Sequence, residues 1–238
     1  MAGRADFENH CWKDLYDEES LASSAKFARE TRVGDDVALL LVDLYNFVYD
    51  GGNRPVREIE DQFPGTCGEH AWQAIDPTKQ VIAASRAAQI PIVYLTRRVV
   101  TAIQSTTRGF PKARGKLKDD AYDIFHEFAP QPGDTLIYKE RASGFYGTPL
   151  LAYLNKMRIH SLIILGESTS GCLRNTVQDA YMNSYHVTVA EEGCYDRNMI
   201  SHKASLFDMH HKYADVMHTP EIVAHLQKMA AAKQRLSA

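Results

Sequence analysis

No stretch of this chain stays apolar for the roughly 18 residues that a bilayer-spanning helix needs, so a membrane class is not indicated. The first twenty residues, MAGRADFENHCWKDLYDEES, are acidic and aromatic, where a secretory leader would be basic and then apolar. A cytoplasmic location is the expectation. Only four cysteines occur, Cys11, Cys67, Cys172 and Cys194, with no CxxC pair among them. That excludes a dense disulfide framework and a cysteine zinc site, and leaves reduced thiols as the default. Neither sign of charge dominates: 27 basic residues face 30 acidic ones for a net charge of -3, which gives no general attraction to nucleic acid. No GxGxxG follows the first apolar run, so a dinucleotide-binding role is disfavoured. Internal repeats and low-complexity tracts are absent as well.

The 238 residues, 45% hydrophobic and 24% charged, suit one large globular α/β domain. Residues 1–34 read either as an arm that packs on the domain or a second subunit, or as a loose leader; residues 35–238 read as the domain itself. Val37 to Val42 (VALLLV) is uninterrupted apolar sequence, the mark of a central parallel strand covered on both faces. PIVYLT (91–96), TLIY (135–138), SLIIL (161–165), HVTVA (186–190) and a short run at 214–217 continue the series. Helices are predicted between them over 77–89, 121–128, 147–157, from Cys172 onward, 201–212 and 220–233, with a long loop over 50–75 that holds one short helical turn. Strands alternating with helices predict a three-layer α/β/α, doubly wound sheet of six mainly parallel strands.

In such a sheet, ligands bind past the C-terminal ends of the strands. Three residues stand there: Asp43, Lys139 and Cys172. Taken singly, Asp43 is a helix cap or a working carboxylate, Lys139 a surface charge or a partner, and Cys172 a small buried hydrophobe or a nucleophile. Together they can act as one device. Asp43 accepts the thiol proton, Lys139 favours thiolate, and the start of the helix after Gly171 offers N–H donors to an oxyanion. Between 97 and 118, Arg97, Arg98, Arg108, Lys112, Arg114, Lys116 and Lys118 occur with no acid among them; they read as a solvated loop, an anion-attracting lid or a nucleic-acid contact.

The segments VALLLVD, YKERASGFYGTPL and LIILGESTSGC, in that order, resemble the isochorismatase-like cysteine hydrolases, among them N-carbamoylsarcosine and maleamate amidohydrolases and nicotinamidases. The resemblance runs from about Asp36 to His225. It implies an amidohydrolase that cleaves a carbon–nitrogen bond through a thioester or thiocarbamate, with Asp43, Lys139 and Cys172 as the catalytic triad. It also implies a cis peptide between Glu167 and Ser168, and an oxyanion hole built from the Ser168 and Cys172 N–H groups. Arg197 matches an arginine that binds a substrate carboxylate, and Tyr45 and Phe145 are further candidates for substrate contact. LTRRVVT (95–101) lacks the aspartate and histidine of the metal-bearing nicotinamidases, so no metal or cofactor is expected, and His202, His210 and His211 read as surface or packing residues. The implied partner is a small amide or ureido substrate, with assembly as a homo-oligomer (tetramer or dimer), and loops 51–75 and 97–120 shaping the pocket. An isochorismatase-type ether hydrolase and a non-catalytic binding module remain the alternatives.

Overall fold

A computed structural model describes residues 7–98 and 117–237. Six strands, β1 (Val37–Val42), β2 (Ile92–Thr96), β3 (Thr135–Tyr138), β4 (Ser161–Gly166), β5 (His186–Cys194) and β6 (Asp215–Met217), form one sheet in the order β3-β2-β1-β4-β5-β6. Every pairing is parallel. The centre is β1 against β4, where Val37 to Val42 pair one to one with Ser161 to Gly166 and every residue of both strands is buried. Continuous apolar runs fit only such a position, because helices cover both faces.

The helices are α1 (Glu18–Ser24), α2 (Asn46–Tyr49), α3 (Val56–Ile59), α4 (Gly68–Gln73), α5 (Ile75–Ala87), α6 (Leu150–Lys156), α7 (Arg174–Met182), α8 (Met199–Lys212) and α9 (Thr219–Ser237). Strand order runs outward from β1 to β3 on one side and from β4 to β6 on the other. Right-handed crossovers therefore send the connecting helices to opposite faces. α5 packs with α9, and α7 with α8. The reversal falls between β1 and β4, where this architecture leaves a crevice at the C-terminal rim.

Several local expectations need correction. Residues 121–128 do not make an α-helix. Ala121, Tyr122, Phe125 and Phe128 are buried at spacings that look helical, but the backbone of this segment pairs with residues 44–47: Phe125 N–H donates to Leu44 O, while Asn46 N–H and Phe47 N–H donate to Asp123 O and Ala121 O. Only a 3-10 turn at His126–Phe128 remains. Residues 50–75 hold two short helices, α3 and α4, in place of one turn. β5 continues four residues beyond Ala190. Ile164 pairs with Val189 but Gly166 pairs with Cys194, so β5 carries three extra residues in a bulge at its C-terminal end.

Among the described residues of the arm, those around 10–16 pack on the domain. Trp12 is fully buried, stacks on His10 at 4.4 Å and meets Phe207 of α8 edge-on at 6.1 Å. Tyr16 stacks on the same Phe207 at 4.0 Å, whereas Phe27 is 72% exposed. His202 and His210, on α8, are buried, so they are packing groups and not surface ones. Of the basic stretch, Arg98 lies over Tyr138 at 4.0 Å and Lys118 pairs with Asp50 at 2.6 Å; the reading of the stretch as a lid falls on 99–116, outside the described residues.

Candidate active site

Three strand ends bring three side chains to one point. β1 ends at Asp43, whose N–H donates to Leu95 O at 2.9 Å and whose φ of 56° turns the chain sharply away from the strand. Aspartate tolerates that left-handed conformation better than most residues. Lys139 leaves β3 with its N–H on Thr96 O at 2.8 Å and reaches back across the end of β2. Its Nζ lies 2.7 Å from Asp43 Oδ2, with the two side chains 1% and 0% exposed. Nζ also donates to Arg141 O at 3.3 Å, while the Asp43 oxygens accept no other well-aligned hydrogen bond among the described residues.

Cys172 follows β4 after a tight reversal. Gly166, at φ 121°, lies so close to β1 that a Cβ would sit 2.1 Å from Val42 O, which only glycine avoids. The Glu167–Ser168 peptide is cis. Thr169 to Leu173 then form a single wide π-type turn kinked at Gly171 (φ -118°, ψ -105°), and α7 begins only at Arg174. Cys172 therefore sits just before the regular helix, not inside its first α-turn. The turn is pinned from the next strand: Thr169 N–H and Oγ1 both donate to Tyr195 O at 3.0 Å, and Asp196 Oδ2 accepts from Ser170 N–H and Oγ at 2.9 and 2.7 Å. The Ser168 N–H has no hydrogen-bond partner among the described residues.

Cys172 as a residue is partly exposed, and its thiol lies close enough to the buried Asp43–Lys139 pair to interact with both. Burial and the Asp43 carboxylate push the Cys172 thiol well above its ordinary range, and the Lys139 ammonium offsets this only in part. Lys139 favours thiolate, as expected, but burial and Asp43 outweigh it, so the resting group is a thiol beside a carboxylate. Lys139 itself is held above its ordinary value. Desolvation opposes its charge, but Asp43 and Cys172 outweigh that cost.

A fourth group was missed in the sequence because nothing about an acid after a strand and a glycine distinguishes it from a loop residue. Glu167 is buried, accepts a hydrogen bond from the Tyr45 hydroxyl at 3.0 Å, and is pushed up to about 8 by burial and by Asp43, against the lowering effect of Tyr45 and Lys139. The Tyr45 hydroxyl is thus committed to Glu167. Arg197 is exposed in the loop after β5, where Nη2 donates to Pro64 O and Thr66 O at 2.8 and 3.4 Å and so braces the loop before α4. The Phe145 ring lies 6.0 Å from that of Tyr185, which precedes the first residue of β5, at the end of the sheet opposite the Cys172 rim.

Comparison with known proteins gives the family. The model of the isochorismatase domain matches residues 37–221. The chain belongs to the isochorismatase family. It is 29% identical over 219 residues to an N-carbamoylsarcosine amidase of an Arthrobacter species, covering 88% of this chain and 78% of that one. With a maleamate amidohydrolase of Pseudomonas putida it shares 34% identity over 102 residues, which is 43% of this chain and 48% of that relative. A solved cysteine hydrolase from Pseudomonas syringae pv. phaseolicola superposes with a TM-score of 0.71 at 18% identity, over 85% of this chain and all of that one; this likeness speaks to the fold alone. As an isochorismatase-family hydrolase with amidohydrolase relatives, the chain is placed among enzymes acting on carbon–nitrogen bonds. Among the described residues, no helix is long and apolar enough to cross a membrane.

Proposed function

We propose that this chain is a cysteine-dependent amidohydrolase that releases ammonia from a small amide or ureido substrate bearing a carboxylate, of the N-carbamoylsarcosine or maleamate type. The observation that carries the reading is the Cys172 thiol beside a buried carboxylate–ammonium pair, Asp43 and Lys139, themselves 2.7 Å apart. A thiol that is hard to ionise, next to a carboxylate, is arranged for proton transfer during attack and not before it.

In the first half-reaction the Cys172 sulfur adds to the carbonyl carbon while Asp43 takes the thiol proton. The Ser168 and Cys172 N–H groups hold the developing oxyanion. Asp43 returns the proton to the leaving nitrogen, ammonia departs, and a thioester, or a thiocarbamate for a ureido group, remains. Water then attacks with Asp43 as base, and the thiol is restored. Lys139 keeps the carboxylate oriented and compensates its charge through both steps. Arg197 is the proposed contact for the substrate carboxylate: Nε and Nη1 are paired with no described residue, and a planar fork suits that anion.

The test is an ammonia-release screen over maleamate, N-carbamoyl amino acids, biuret, nicotinamide and simple aromatic amides, with mass spectrometry of the protein during turnover. A transient adduct on the peptide carrying Cys172 is expected, and Cys172→Ala should abolish release while keeping the wild-type melting curve. Substantial ammonia release by Cys172→Ala would end this reading.

A further inference from the structure

Away from Cys172, three side chains from distant parts of the sequence converge where the arm meets the end of the sheet, and a fourth, Glu192, touches one of them, His218. His10 comes from the arm, Glu191 and Glu192 from the bulge of β5, and His218 from the turn between β6 and α9. The ligand atoms of His10, Glu191 and His218 all lie within 4.8 Å of one another. His10 Nδ1 is in direct contact with Glu191 Oε2; His218 Nδ1 is 3.6 Å from that oxygen and 2.7 Å from Glu192 Oε1. A regular strand sends consecutive residues to opposite faces, so the three extra residues of the bulge are what bring both acids to one cluster.

The opposite end of each of three of these side chains is anchored. Glu191 Oε1 accepts Cys11 N–H at 2.7 Å, and Glu192 Oε2 accepts Thr219 N–H at 2.7 Å. His218 Nε2 donates to Asn9 O at 2.9 Å, which fixes the ring with Nδ1 towards the carboxylates, where a bound ion would replace the Nδ1 proton now shared with Glu192 Oε1. Backbone groups that orient a histidine and two carboxylates through their outer atoms, leaving the inner atoms convergent, are the usual second layer of a metal site. The cluster is closed on one side and open on the other: the His10 and Glu191 side chains are 5% and 7% exposed, against 34% and 39% for His218 and Glu192. None of the four is among the groups that shift the Cys172 thiol.

We propose that His10, Glu191, Glu192 and His218 bind one divalent transition metal of the zinc class, and that this ion fastens the arm to the C-terminal end of the sheet. Two imidazoles and two carboxylates suit zinc, whereas magnesium and calcium prefer all-oxygen sets. Binding requires neutral imidazoles at both Nδ1 atoms and moves the contacting ligand atoms apart to bonding distance around the ion. The role is structural: the ion would tie residue 10 to residues more than 180 positions away and hold Trp12 in its slot.

The experiment uses the full chain, freed of metal with a chelator and titrated with zinc alone against a chromophoric competitor. One tight equivalent per chain is expected, retained in Cys172→Ala and weakened by roughly a hundredfold or more in the volume-conserving double variant Glu191→Gln/His218→Gln. At a free zinc concentration about ten times the dissociation constant, tryptic cleavage after Lys13 should slow about tenfold in the wild type and not in the double variant. Cobalt substituted for zinc should give visible bands without a thiolate charge-transfer band; this readout needs only the wild type and stands if the variant misfolds. Absence of stoichiometric zinc from folded wild type, undiminished binding in the folded double variant, or a thiolate band from cobalt would each overturn the proposal. In the first case the cluster is a network of ion pairs.

Discussion

Lys139→Met isolates the buried pair on which the proposed chemistry rests. With Nζ 2.7 Å from Asp43 Oδ2 and both side chains sealed from water, removing the ammonium leaves a carboxylate with no compensating charge in a low-dielectric setting. Such a loss costs about 3–5 kcal/mol, a large share of a folding stability of about 5–15 kcal/mol. Asp43→Asn removes the charge from the other side and strands the ammonium at a similar cost. The double variant Asp43→Asn/Lys139→Met restores neutrality, so its loss should fall short of the sum of the single losses by about 2–3 kcal/mol. Urea denaturation followed by circular dichroism measures all four corners of the cycle. A Lys139→Met protein within about 1 kcal/mol of wild type, or strict additivity across the cycle, would show that the two charges do not meet in the dry environment described.

Other consequences are open to the same kind of test. Burial does most to raise the Cys172 thiol and Asp43 adds to it; Asp43→Asn removes that second contribution, so alkylation of Cys172 by iodoacetamide at pH 7 should speed up while ammonia release falls by at least about a hundredfold; parallel changes in labelling and turnover would contradict a general-base role. Glu167 is held at about 8 in the fold against an ordinary 4.5, so the folded state binds more protons than the unfolded chain between those values. Its contribution to stability is therefore intact below about pH 4.5 and is lost as pH rises through about 8, by on the order of a few kcal/mol. Glu167→Gln should flatten that part of the stability profile, as read from urea midpoints between pH 5 and 9. Gly166→Ala should cost at least about 2 kcal/mol, because φ is 121° and the new Cβ would meet Val42 O at 2.1 Å. Trp12→Ala should cost about 3–5 kcal/mol if the arm folds with the domain, and almost nothing if residues 7–16 dock only weakly; thermal denaturation separates the two.

Much of the architecture was legible because central parallel strands write themselves as unbroken apolar runs. VALLLV and SLIIL are buried at every residue, and their ends mark the rim where Asp43 and Cys172 stand. Residues 121–128 misled for the converse reason. Their apolar spacing suits a helix, but the hydrogen bonds that would have closed its turns go to residues 44–47, a partner invisible in a local window. Glu167 shows the same limit from the other side, since a carboxyl pushed up to about 8 needs the burial and the Asp43 charge that only folding brings beside it.

The order of residues along the chain by itself determined that six strands alternate with helices, and that an acid, an amine and a thiol follow the ends of three of them. That information is local, carried by hydrophobic period and by the residue that breaks it. Tertiary structure decided the rest: that Lys139 and Asp43 meet at 2.7 Å, that the Cys172 thiol is pushed upward, and that His10 lies beside Glu191 and His218. Charge, ionisation and ligand geometry depend on distance through space and on exclusion of water, and neither can be counted along a sequence.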